Sequence, residues 1–333
     1  MEQMSSPRFE PRSKPAFLIS IDTEGDDVWS RPREARTQNA AFLPRFQALC
    51  ERFGFRPSYL TNCEMAESKV FRAFARDILA RDTGEIGMHM HPWDTPPLTP
   101  LGKADWFEQP HPCEYPDELL RSKVDYMTKR LQDIFQIPIL SHRAGRFGFN
   151  AAYCRALIEL GYRIDCSVTP HISWREHKGL EGGSGGQDYR AFPSEPYYLD
   201  EDDIARPGAS SLLEAPMTIV EGKRPWHREF ARRLLGRRGP RYIWLRPDGR
   251  NLADLLYIVE QGKRSGAPYL QFTLHSSEFM PGGSPSFKTS AEIERLYQHL
   301  EILFSTIAQT FAGQTLSEFA IDFAAGRTFL GPK

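Results

Sequence analysis

The feature that most constrains this fold is a repeated exchange of short apolar runs with longer amphipathic segments. Ala16-Phe-Leu-Ile-Ser-Ile21 is an almost continuous apolar run of strand length, the pattern of a strand covered on both faces. Asn39 to Phe53 then carries Phe42, Leu43, Phe46 and Leu49 at helical spacing and stops at Gly54. The same patterns predict further strands at Pro57–Thr61, Glu85–His89, Ile137–Ser141, Tyr162–Ser167, Leu212–Val220 and Tyr269–Leu274. They predict helices at Val70–Ala80, Asp117–Phe135, Arg228–Leu235, Asn251–Gly262 and Ser290–Ala312, and one from the cap Asn150 to near Gly161. Parallel neighbours need a crossover of about a dozen residues or more, so this alternation implies one parallel sheet, most naturally closed into a barrel.

Composition excludes several classes. The chain has 333 residues and a net charge of -1, which gives no global case for nucleic acid binding. Five cysteines without a Cys-x-x-Cys pair argue against a disulfide framework and for a reducing compartment. Residues 1–15 read as a disordered polar lead without the apolar centre of a signal peptide, and no run is long enough to span a bilayer. These signs together predict a cytoplasmic protein, with residues 16–325 as one α/β domain.

Between 171 and 250 the pattern degrades into a loop-rich elaboration, expected over the barrel mouth. Gly182-Gly-Ser-Gly-Gly186 reads as a mobile loop tip, and Asp200-Glu-Asp-Asp203 as an exposed acidic turn or helix start. Lys223 to Arg250 holds ten Lys/Arg against Glu229 and Asp248, a local charge of +8. That stretch is either a solvated basic face or a patch for an anionic ligand such as phosphate or a charged glycan.

The polar candidates fall at the ends of predicted strands: Asp22 and Glu24, His89 and His91, Arg143, Asp165, His275. In α/β barrels that C-terminal rim is where sites are built. Two histidines two residues apart on a strand point to one face, and neutral imidazoles are good zinc ligands. Each residue also has an ordinary reading. Asp22, Glu24 and Asp165 could cap turns, the histidines could be hydrogen-bonded loop or core residues, and Arg143 could be a structural ion-pair partner. Trp93 offers a flat face for a sugar ring, or is a core aromatic.

The ordered set Ser20-Ile-Asp22-Thr-Glu24, Glu85-Ile-Gly-Met-His89-Met-His91-Pro, His142-Arg143-Ala-Gly-Arg-Phe-Gly148, Ile164-Asp165-Cys-Ser167 and Leu274-His275 resembles the polysaccharide deacetylase (NodB homology) superfamily, carbohydrate esterase family 4-like, over roughly residues 16 to 320. The resemblance implies a distorted parallel (β/α) barrel of the seven-stranded type and a metal-dependent deacetylase acting on carbohydrate. It implies that Asp22 is the catalytic base and that Glu24, His89 and His91 bind a divalent metal, zinc by preference. It further implies that Arg143 orients the base and that His275, across the cavity, is the general acid. The resemblance also implies that Leu274 lines the acetyl-methyl pocket, and Asp165 and Trp93 are expected in the catalytic and substrate-contacting sets. Two departures are visible: the family's first-motif acid is usually Asp, and its paired histidines are usually separated by three residues, where a single residue separates His89 from His91. The expected partner is an acetylated amino sugar or polysaccharide precursor, nucleotide- or lipid-linked, in surface-polysaccharide assembly. Two other classes fit the same residues: a catalytically silent sugar-binding relative, and a glycoside hydrolase drawing two carboxylates from Asp22, Glu24, Glu214 and Glu278.

Overall fold

The computed structural model describes residues 13–223 and 240–326. Its strands are β1 (Ala16–Thr23), β2 (Ser58–Thr61), β3 (Glu85–Met90), β4 (Ser141–Ala144), β5 (Ile164–Asp165), β6 (Tyr197–Tyr198), β7 (Leu213–Glu214), β8 (Ile219–Glu221), β9 (Tyr242–Trp244), β10 (Tyr269–His275) and β11 (Ala312–Gln314). The main sheet runs β10-β1-β2-β3-β4-β5-β7-β6, with β11 beside the first half of β1. Seven strands from β10 to β7 are parallel, and β6 returns antiparallel at the edge. The sheet is therefore a curled, distorted (β/α) barrel.

Among the described residues, full closure by strand pairing is not reached. The gap between β7 and β10 is spanned by irregular chain instead. Met217 donates its N–H to Val168, Leu245 donates to Thr218, and Tyr269 donates its hydroxyl to the Pro216 carbonyl. Proline explains why the expected strand Leu212–Val220 breaks into β7 and β8: Pro216 has no N–H to give a ladder.

Period-two alternation sorts the side chains. Phe17, Ile19 and Ile21 join the large core between sheet and helices, while Ala16 and Leu18 join the small core inside the curl. The inner set is completed by Leu60, Ile164, Cys166, Leu213 and Tyr269, closed at the bottom by Leu316, Phe319 and Ala320. Those last residues belong to a helix at Leu316–Ala324 that the sequence reading did not resolve. The helix expected at Ser290–Ala312 ends at Ala308, and Ala312 already belongs to β11.

Other expectations shift by a few residues. The helix at Asp117–Phe135 is found as read, and Asn150 accepts a capping bond from the Tyr153 N–H at 2.9 Å. β4 begins at Ser141, where the sequence pattern ended its strand, so Arg143 lies within the strand. The expected helix at Arg228–Leu235, and residues 1–12 of the expected disordered lead, lie outside the described residues. All five cysteines are free thiols, and no helix among the described residues is long and apolar enough to cross a membrane.

Within Gly182 to Gly186, Gly185 and Gly186 are tied to neighbouring segments, while a Cβ at Gly182 would meet open space. Gly185 donates to a Glu114 carboxylate oxygen and Gly186 to the Trp174 carbonyl. A Cβ at Gly186 would stand 2.6 Å from Trp174 Cβ and 2.7 Å from the His111 ring, so these glycines serve close packing. Asp200–Asp203 is an exposed turn in which Asp200 accepts from the N–H groups of Asp202 and Asp203. It contacts Arg155 and does not line the cavity described below.

Candidate active site

Alternation carries Asp22 and Glu24 of the β1 end, His89 and His91 of the β3 end, Arg143 of β4 and His275 of β10 to the inner face. Glu24, His89 and His91 meet there. A Glu24 carboxylate oxygen lies 3.3 Å from His89 Nε2 and 3.1 Å from His91 Nε2, and the two Nε2 atoms are 3.1 Å apart. All three residues are buried. His89 Nδ1 stands 3.0 Å from the Arg143 carbonyl, which only accepts, so Nδ1 carries the proton and Nε2 turns to the cluster. Gly145 makes room: a Cβ there would stand 2.5 Å from the Met90 carbonyl and 2.6 Å from the His91 ring. A second trio, Glu64, His91 and Asp94, shares the other edge of His91, but its His91–Asp94 approach is longer at 3.8 Å.

Asp22 is held by Arg143, whose Nη1 donates to it at 2.6 Å and to Thr273 Oγ1 at 2.9 Å. Arg143 is fully buried, and its remaining donors reach Ser20 Oγ at 2.5 Å and the Cys166 carbonyl at 3.2 Å. Burial pushes the Asp22 carboxyl up, but Arg143, with His89 and His275, outweighs it and holds Asp22 below the usual aspartate value. Burial likewise opposes charge on His89 and His275. The carboxylates of Asp22 and Glu24 outweigh it and hold both imidazoles above their ordinary value.

His275 stands beside Asp22, not across the cavity. The two are register partners on adjacent strands, with His275 Nε2 3.9 Å from Asp22. Its Nδ1 hydrogen-bonds Glu24, and the Trp29 ring packs on it at 4.9 Å. Trp93 lines the cavity and stacks on His91, with ring centres 4.4 Å apart.

Two expected site residues are not brought to the cavity, and strand parity is the reason. Leu274 is fully buried in the sheet-to-helix core, because its neighbours Thr273 and His275 take the inner face. Asp165 also faces the helices, since Ile164 and Cys166 point inward. It pairs with His142 Nδ1 at 2.5 Å, and the other His142 nitrogen meets the Tyr153 hydroxyl at 2.8 Å. Glu214 stands next in the same row, so this glycosidase candidate is off the cavity as well. Glu278 binds Arg246 and the His275 N–H and is also not among the lining residues.

The buried row makes a pH prediction. Burial, then the neighbouring Asp165 charge, push the Glu214 carboxyl well above the usual range, while His142 helps hold Asp165 low despite burial. A carboxyl with a raised folded pKa gives stability that is complete below its unfolded value, about 4.3, and is lost as pH rises through the folded value. Glu214→Gln mimics the protonated form and removes that loss. The Tm advantage of the variant over wild type should therefore grow from pH 5 to pH 9. A difference that does not change with pH would contradict the assignment.

The cavity measures about 700 Å³ and opens directly on Asp22, Glu24, His89, His91 and His275. The described part of 171–250 supplies Trp174, His177, Arg241, Trp244 and Arg246 to its wall. Sequence reasoning missed Trp29, Arg31 and Arg146 in this wall. Arg146 sits inside a motif already singled out for Arg143, and strong turn signals around it were the available clue. The Arg228–Arg238 portion of the basic stretch lies outside the described residues.

Known structures share this fold. A protein of Mycobacterium smegmatis described as a "putative polysaccharide deacetylase" aligns over 98% of this chain and 97% of its own, with TM-score 0.52 and 14% identity. A "putative glycoside hydrolase/deacetylase" of Parabacteroides distasonis aligns over 96% of this chain and 73% of its own, with TM-score 0.63 and 11% identity. At such identities the likeness establishes a common fold. No family profile matches the chain, and no curated protein matches it.

Proposed function

We propose that the protein is a metal-dependent deacetylase that removes an acetyl or similar acyl group from an amino sugar. The observation that carries this reading is the convergence of Glu24, His89 and His91 beside Asp22, Arg143 and His275 at the floor of one cavity. The donor set suits zinc. Ligand atoms about 2.0–2.1 Å from a tetrahedral ion stand roughly 3.3 Å from one another. The three separations here are 3.1, 3.1 and 3.3 Å. One carboxylate and two imidazoles also leave a position open for water or substrate. A divalent ion held there supplies Lewis acidity, lowering the pKa of water and polarising an acyl oxygen.

The chain's own residues do the rest. Asp22, kept ionised by Arg143, accepts the proton of the attacking water. Arg143 is a positioning residue, since it is buried behind Asp22 and does not line the cavity. His275 receives a carboxylate partner at Nδ1 from Glu24, which fixes the ring and leaves Nε2 to deliver a proton to the departing amine. Trp93 and Trp29 brace His91 and His275 and give the sugar an apolar wall. With these six side chains brought together, a competent site is favoured over a silent relative. The natural substrate in this reading is a polysaccharide precursor, nucleotide- or lipid-linked.

Acetate release from N-acetylated chito-oligosaccharides tests the reading. Activity should vanish after dialysis against a strong chelator and return when about one equivalent of zinc is added. Chelated protein that retains full activity would overturn it.

A further inference from the structure

Among the described residues, four arginines line the cavity: Arg31, Arg146, Arg241 and Arg246. Two are neutralised within the protein. Arg241 donates to both carboxylate oxygens of Asp254, and Arg246 donates to Glu278 at 2.8 Å. Arg31 and Arg146 differ. Among the described residues their hydrogen-bond partners are backbone carbonyls alone: Phe107 for Arg31, Gln109 and Lys178 for Arg146. A guanidinium carries five N–H donors, so most donors of both groups are left over. Phe107 and Gln109 belong to one turn, at the end of the short helix Asp105–Glu108, so the two cations gather at one place. The nearby Glu114 carboxylate offsets part of the Arg146 charge, but its oxygens accept from the N–H groups of His111, Leu180 and Gly185, and among the described residues it makes no ion pair with either guanidinium.

Holding two like charges together without a carboxylate paired to either is unfavourable. Burial, then the Arg31 charge, push Arg146 down to about 10. Both residues also sit at positive φ, 51° and 52°, which non-glycine residues rarely adopt and which concentrates at ligand sites. Next to Arg146 the wall turns aromatic. Phe147 stacks on Trp174 with ring centres 5.3 Å apart, and Trp244 meets Phe147 at 5.9 Å and Trp174 at 6.2 Å. A pyranose face suits the aromatic wall, and an oxyanion suits the forked guanidinium donors.

We propose that Arg31 and Arg146 form an oxyanion-recognition subsite that selects substrates whose acylated sugar carries or adjoins a carboxylate or a phosphate. The proposal rests on the deacetylase reading for its choice of substrate. It differs from assigning anion recognition to the whole basic stretch after Lys223, whose described cavity members are already paired with carboxylates.

The experiment compares zinc-loaded wild type, the double variant R31Q/R146Q and the control R250Q, an exposed arginine that does not line the cavity. Three acetylated substrates are used: a neutral chito-oligosaccharide, an oligosaccharide with a uronate beside the acetamido sugar, and a nucleoside-diphosphate N-acetylhexosamine. Wild type should favour at least one anionic substrate by about tenfold or more in kcat/KM, mainly through KM, and less at high salt. In R31Q/R146Q that ratio should fall to within about threefold of unity, and R250Q should keep it. The uronate and phosphate arms identify the source of the oxyanion. Equal wild-type rates on neutral and anionic substrates, or an unchanged ratio in the double variant, would overturn the proposal. Calorimetry with the uronate disaccharide and the nucleotide sugar separates the two ideas. If no substrate is hydrolysed the deacetylase reading fails, and the subsite then stands or falls on whether R31Q/R146Q abolishes binding. Should the double variant fail to fold, the single variants carry the same comparison.

Discussion

Replacing His89 by alanine is expected to abolish stoichiometric zinc binding and, with it, hydrolysis. His89 Nε2 is one corner of a three-atom cluster whose other corners are Glu24 and His91 Nε2. Removing supporting groups around a metal costs about 10- to 100-fold in affinity, so removing a ligand should cost more. Two residues of the trio remain, and they cannot close a tetrahedral site. The fold should survive, because His89 stands on the cavity floor, outside the aromatic and aliphatic core. The measurement is zinc per chain after gel filtration, together with a calorimetric titration of metal-stripped protein. His91→Ala should behave the same way, which is the sharper test given the unusual spacing. If His91→Ala keeps tight zinc while His89→Ala loses it, the site uses one histidine and the shared-ligand geometry is wrong. If both variants keep one tightly bound ion, the metal lies elsewhere.

The His-x-His spacing shows what a sequence can and cannot reveal. Met88 and Met90 belong to the outer core, so His89 and His91 must share the inner face. That inference needed only the period of a strand. The same rule, applied to β10 and β5, would have removed Leu274 and Asp165 from the site, because His275 and Cys166 fix the parity of each strand. Leu274 follows only from the family resemblance and Asp165 from its place at a strand end, and neither of these carries the parity of the strand. Other features were hidden for a physical reason. Trp29, Arg31, Arg146 and Trp174 reach the cavity from loops, where no periodicity says which way a side chain points. The partial closure at Pro216–Thr218 depends on single hydrogen bonds between distant segments, and the Leu316–Ala324 helix is too short to show a strong periodic signal. Six of the seven parallel strands fall within or over the short apolar runs that predict them, while β4, Ser-His-Arg-Ala, starts where its predicted run Ile137–Ser141 ends.

Asp22→Asn is expected to lower kcat by about 10²- to 10⁴-fold while leaving one zinc per chain, because the amide cannot take a proton from water. The substitution preserves shape and keeps an oxygen for Arg143, so substrate affinity should change little by comparison. It also removes the counter-ion of a fully buried arginine. Breaking one partner of a buried pair costs about 3–5 kcal/mol, which should appear as a Tm lower by several degrees at neutral pH. The pH dependence of that deficit has a fixed sign. Asp22 is held below the usual aspartate value, so its stabilising contribution is present above about pH 3.9 and is lost as pH falls through the folded value. The Asp22 carboxylate's own part of the stability gap between wild type and Asp22→Asn should therefore close as pH falls below about 3.9. Rate and zinc content together decide the role. A variant with wild-type kcat removes Asp22 from catalysis. A variant that loses its zinc along with its rate makes Asp22 a ligand, with the base to be sought elsewhere in the cavity. Only a slow variant with full zinc fits a carboxylate that works on water from the position Arg143 assigns to it.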